Sequence, residues 1–179
     1  MALNSSDVNA GDDILAADYN LLRQDVREAN CDTQTRYYVI SPADFAPRNM
    51  GGEWNIRPEY LKGACSPAIS YYTAGVHLPH GAVITSFKVY WFRDDGAASG
   101  DADLFRNELG NANEVTMASA DSDVATGYHS VEDTTINNAT IDNSGYTYDV
   151  EITFNPNDSD DDVWIEGIVI TYTIVKSLP

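Results

Sequence analysis

The sequence predicts a mainly β protein: an antiparallel β-sandwich of about eight strands, jelly-roll-like, preceded by one N-terminal α-helix. Three stretches carry that prediction. Residues 83–92 run as nearly unbroken strand-forming sequence after the Pro79–Gly81 break. Residues 146–154 alternate Tyr146, Tyr148, Val150, Ile152 and Phe154 with Thr147, Asp149, Glu151 and Thr153, the period of a half-buried strand. Residues 163–175 close the chain with Ile168, Ile170, Tyr172 and Ile174 on one face.

In the first of these, Val83, Thr85, Phe87, Val89 and Trp91 share one face. Ile84, Tyr90 and Phe92 on the other face are also apolar, which predicts a central strand covered on both sides. Shorter strands are expected at 36–40, 69–74, 102–109, 114–118 and 128–131, separated by polar turns. Residues 93–101 read as a hairpin-like polar connection, and 141–145 and 155–162 as turns. Residues 43–66 look irregular, punctuated by Pro47, Gly51, Gly52, Pro58 and Gly63, with Phe45, Trp54, Tyr60 and Leu61 as anchors. Within that loop Trp54 and Tyr60 are the candidate ligand contacts. The strand aromatics, Tyr90 and Trp91 among them, read as packing.

The helix is expected over residues 16–29, where Leu15, Tyr19, Leu22 and Val26 recur at spacings of four, three and four. Such a narrow stripe must dock on something, since a helix of this length is marginal alone. The chain therefore divides into an attachment or oligomerisation segment at 1–34 and a sandwich domain at 35–179.

Composition excludes more than it assigns. Acidic residues number 28 against 10 Lys and Arg, a net charge of −18, which repels a phosphate backbone and argues against nucleic acid as a partner. No apolar run is long enough for membrane insertion, and Met1 to Asp7 lacks the basic start and apolar core of a signal peptide. Cys31 and Cys65 stand in unlike contexts and read as two thiols, with one bridge as the alternative.

The chemistry-bearing residues do not assemble into a reaction centre. His77 and His80 flank Leu78-Pro79 with no third ligand nearby and read as turn histidines. The Asp-rich stretches at 94–103 and 158–162 lack the spacing of a calcium loop and read as solvated charge runs, a surface calcium being the sharper alternative. No Gly-x-Ser-x-Gly elbow or phosphate-cradling glycine loop is present. The expectation is a non-enzymatic protein without cofactors.

Residues 11–26, with Gly11, Ile14, the pair Tyr19-Asn20 and Arg23-x-Asp25-Val26, resemble the N-terminal segment of tailed-phage virion structural proteins. The stretch from Tyr37 likewise resembles a β-sandwich module of phage and bacterial proteins, through 41–47, 77–84, 141–148 and 167–172. The resemblance implies a virion location, tail-fibre or head-decoration type. It places the assembly interface on Ile14, Leu15, Tyr19, Asn20, Leu22, Arg23 and Val26, with sister subunits (a homotrimer) and other virion proteins as partners. A host-surface glycan or receptor would then be the target of the sandwich. Two alternatives stand beside it: a carbohydrate-binding β-sandwich module, and a subunit of a self-assembling extracellular filament.

Overall fold

The chain's two longest strands, Val83–Arg93 and Val163–Val175, pair with each other and set the frame. The computed structural model describes residues 33–48, 55–63, 69–94, 98–122, 125–155 and 163–175. The expected helix at 16–29, the interface residues Ile14 to Val26, Trp54, Cys31, Cys65 and the acidic run at 158–162 lie outside the described residues. The chain divides into two units, Met1–Gln34 with Val175–Pro179, and Thr35–Ile174; the description below concerns the second.

The described residues form eleven strands: β1 (Thr33–Ile40), β2 (Ala46–Pro47), β3 (Asn55–Ile56), β4 (Leu61–Lys62), β5 (Ser70–Gly75), β6 (Val83–Arg93), β7 (Ser99–Glu108), β8 (Glu114–Ser119), β9 (Gly127–Asp133), β10 (Tyr146–Asn155) and β11 (Val163–Val175). One sheet runs β3-β4-β11-β6-β9, with β1 also on β11; the other runs β2-β5-β10-β7-β8. We call them sheets A and B. The pairs β4·β11, β5·β10, β6·β9 and β7·β8 are nested and antiparallel, which is what rolling one long hairpin into two layers produces. No α-helix occurs among the described residues; a short 3-10 turn at Pro42–Asp44 is capped by Ser41, whose hydroxyl accepts from the Ala43 amide.

Two sequence expectations change. Residues 43–66 are not simply irregular, since three two-residue strands, β2 to β4, extend both sheets. These are too short for any periodicity to register. The connection at 93–101 is not a hairpin: β6 lies in sheet A and β7 in sheet B, so the chain crosses between layers there. Asp101 and Asp103 accordingly sit in strand β7 rather than in a loop.

The core lies between the sheets. Trp91 of sheet A meets Phe154 of sheet B edge to face, with ring centroids 6.2 Å apart, and Phe154 meets Tyr72 at 5.7 Å. The buried indole donates to the Ala120 carbonyl at 3.2 Å. Two glycines make room for these rings. A Cβ on Gly100 would come 2.6 Å from the Trp91 ring, and one on Gly63 would come 2.5 Å from the Phe154 Cβ. On β10 the inward set is Tyr148, Val150, Ile152 and Phe154, all buried, with Tyr146 half-buried at the end.

Strand β6 departs from its expected facing. Phe87, Val89 and Trp91 point inward, but so does Ile84, while Val83 and Thr85 face out. The register against β11 shifts between Ser86 and Ile84, so Thr85 is an extra residue that reverses the alternation. The outer face is not covered: Tyr90 is 39% exposed.

Candidate functional site

The outer face of sheet A carries a transverse row of aromatic rings. Register puts Trp164 of β11 directly opposite Phe92 of β6, and Phe92 directly opposite Tyr128 of β9. Tyr60, in the turn between β3 and β4, extends the row, because β4 pairs with β11 at Lys62 and Trp164. The backbone of Arg57 donates to the Tyr60 carbonyl at 2.9 Å and closes that turn. Each ring therefore comes from a different part of the chain, and strand pairing alone aligns them.

Phe92 and Trp164 stack with centroids 3.8 Å apart and planes 15° apart. Tyr128 tilts against Phe92 at 4.7 Å, and Tyr60 against Trp164 at 5.5 Å. The two middle rings thus cover one another's faces, and the open surface is greatest at the end, where Tyr128 is 68% exposed. The Arg57 guanidinium lies 5.8 Å from the Tyr60 ring centroid.

One step along the sheet the row continues in polar form. Lys88 places its ammonium 5.5 Å from the Tyr90 ring centroid and 3.8 Å from a Glu132 carboxylate oxygen. Ser86 donates to Glu132 at 2.6 Å. An aromatic platform is thereby bordered by an ammonium and a carboxylate able to hydrogen-bond a polyol, the buried Ser86 hydroxyl holding the carboxylate in place.

A bulge places Trp164 here. Ile165 pairs with Trp91 and Gly167 with Tyr90, so Glu166 is an additional residue on β11. Beyond it the even-numbered Ile168, Ile170 and Tyr172 face the core; before it the odd-numbered Val163 and Ile165 do. Without that extra residue the even-numbered Trp164 would point inward.

Of this row the sequence singles out only Tyr60. Phe92 and Tyr90 were read as packing, and Tyr128 and Trp164 were not singled out. The break in alternation at Glu166-Gly167 was the available signal. The two turn histidines are separate in role: His80 Nδ1 accepts from the Asn143 amide at 3.2 Å and lies 3.6 Å from Asp142, while His77 lines a groove. Among the described residues no cluster of three His, Cys, Asp or Glu side chains could hold a metal.

The outer face of sheet B is acidic instead. Asp103 accepts from the Ser119 hydroxyl, Asp149 from the Asn107 amide, and Glu151 pairs with Arg48. Burial pushes the Asp149 carboxyl up from its ordinary value, helped by Glu114 and Glu151 and opposed by the Asn107 hydrogen bond. The Arg48 guanidinium is held higher by its hydrogen bond and charge contact with Glu151.

No protein-family model matches the sequence, and no curated protein does. Solved structures do match in fold. A xylan-binding module of family CBM15 superposes with a TM-score of 0.51 at 9% identity, covering 77% of this chain and 97% of that one. A CBM36 module in complex with calcium and xylotriose gives 0.46 at 13%, covering 73% and 97%. A CBM4 module gives 0.46 at 12%, covering 76% and 96%. The chain is thus a β-sandwich similar in fold to the xylan-binding module, and the comparisons supply no link to phage proteins.

Proposed function

We propose that residues 35–174 form a non-catalytic glycan-binding module whose contact surface is the aromatic row of sheet A. The observation that carries this reading is the alignment of Tyr60, Trp164, Phe92 and Tyr128 across the solvent face of one sheet. Pyranose rings present apolar C–H faces and a hydroxyl periphery. Aromatic rings take the first, and Lys88 and Glu132 stand ready for the second. The fold likeness to a xylan-binding module supports the same direction. With a net charge of −18, a neutral polysaccharide suits the molecule better than an anionic one.

Affinity electrophoresis of the full chain in gels containing soluble xylan, mixed-linkage β-glucan or mannan tests this. Retardation by one of them, lost in Tyr128→Ala, is expected. Equal mobility in all three gels overturns the reading; so does retardation that Tyr128→Ala and Trp164→Ala leave untouched.

A virion role remains a reading of residues 11–26, where the resemblance to tailed-phage proteins lies. It is compatible with glycan binding, the first 34 residues attaching and the sandwich presenting. Removing residues 1–30, which leaves β1 whole, should then give a folded sandwich that binds the same polysaccharide but no longer assembles, as read by light scattering.

A further inference from the structure

A groove lies at one end of the sandwich, away from the aromatic row. The connection from β5 to β6 meets the connection from β9 to β10 there, leaving an open groove of about 530 Å³. That is within the range of small-molecule sites. Its apolar lining includes Val76, Leu78 and Tyr146; its polar groups are His77, Asn143 and Thr147.

The two connections are fixed to each other. The Asn143 amide side chain donates to the Leu78 carbonyl at 2.9 Å, and its backbone amide donates to His80. The Gly81 amide donates to the Ile141 carbonyl at 2.9 Å, and the Asp142 amide to the Tyr148 hydroxyl at 2.7 Å. Tyr146 is held by the Arg106 guanidinium, 4.5 Å from its ring centroid. The groove is therefore pre-formed.

Three features select the ligand. None of the lining residues is Asp, Glu, Lys or Arg, although 38 of the 179 residues are. A charged ligand would find no counter-ion in the lining. The Val76 amide is already bonded to the Tyr148 carbonyl and the Leu78 carbonyl to Asn143, so little backbone is left for an added peptide strand. The His77 ring and the Thr147 hydroxyl, both exposed, have no hydrogen-bond partner among the described residues. Side-chain donors and acceptors beside an apolar wall fit a small neutral polyol with one C–H face.

We infer that this groove is a second carbohydrate site, taking one or two neutral sugar rings, independent of the aromatic row. It rests on the proposed function only for the class of ligand. Two sites on different elements make the module bivalent, so a branched or bundled glycan would be held more tightly than either site accounts for.

The test is an amide chemical-shift titration of the ¹⁵N-labelled full chain with xylobiose and, separately, cellobiose. Saturable shifts in residues 76–80 and 143–147 are expected with at least one of them. They should persist in Tyr128→Ala and weaken at least tenfold in Thr147→Trp, which fills the groove, and in His77→Ala. Because both groove positions are exposed, unchanged thermal melts will show that the variants fold. Shifts confined to β6, β9 and β11, groove shifts indifferent to both groove variants, or no shifts with either sugar overturn the inference. Groove shifts without polysaccharide retardation would instead uphold this site and overturn the aromatic row as the binding surface.

Discussion

The two outer faces of this sandwich are built on the same backbone plan and carry opposite chemistry. Sheet A presents Tyr60, Trp164, Phe92, Tyr128 and Tyr90. Sheet B presents Asp103, Asp149, Glu151 and Glu114, neutralised in part by Arg48 and hydrogen-bonded to Asn107 and Ser119. An acidic face repels other copies and keeps the chain dissolved; an aromatic face invites contact. Concentrating like charges on one side leaves the other free to bury apolar area against a partner. The division predicts that changes on sheet A move binding and changes on sheet B move stability with pH.

The largest effect should come from Trp164→Ala, which removes the ring that both Phe92 and Tyr60 pack against. Each aromatic pair contributes about 0.5–1.5 kcal/mol to stability, so the melting temperature should drop; with a central contact ring gone, affinity for polysaccharide should fall at least tenfold too. Tyr128→Ala is the sharper probe. Its ring is mostly in solvent and packs on Phe92 from one side, so binding should fall roughly tenfold, about 1.4 kcal/mol, while the melting temperature falls less than in Trp164→Ala. Equal losses of binding and stability in the two variants would mean the row is only packing.

On sheet B, Asp149→Asn should raise stability at pH 7 without touching binding. The folded-state value of Asp149 is raised, chiefly by burial, so the native state holds its proton more tightly than the unfolded chain. Stability from this group is highest below the unfolded value of about 3.9 and declines as pH rises through the folded value. Melting temperatures of wild type and variant between pH 3 and 7 should therefore diverge upward with pH, the variant being the more stable. A constant offset would remove titration as the cause. The smallest effect is expected from Arg48→Ala: solvent screens an exposed guanidinium, so the melting temperature should shift little and polysaccharide retardation should be unchanged.

How far the sequence discloses this division varies by strand. Strand β10 is legible because its alternation is unbroken from Tyr146 to Phe154, and the structure faces it as expected. Strand β6 misleads because Thr85 is an extra residue, and a bulge reverses facing without changing composition. On β11 the expected face of Ile168, Ile170, Tyr172 and Ile174 is found, and the bulge at Glu166 changes only the facing ahead of it. The aromatic row was less legible still. Its members lie at 60, 92, 128 and 164, and only pairing register brings them together, which no local window contains. Tyr60 was found because it stood in a loop, where an aromatic has no strand packing to explain it. Trp54, its companion in that reading, lies outside the described residues.

The contrast between the two described tryptophans has an optical consequence. Trp91 is fully enclosed and bonded to Ala120, whereas Trp164 lies half-open on the aromatic row. In a Trp54→Phe background the emission should separate into a blue component indifferent to iodide and a redder one that iodide quenches. Saturating sugar at the row should shield only the latter, giving a spectroscopic readout of occupancy that needs no added label.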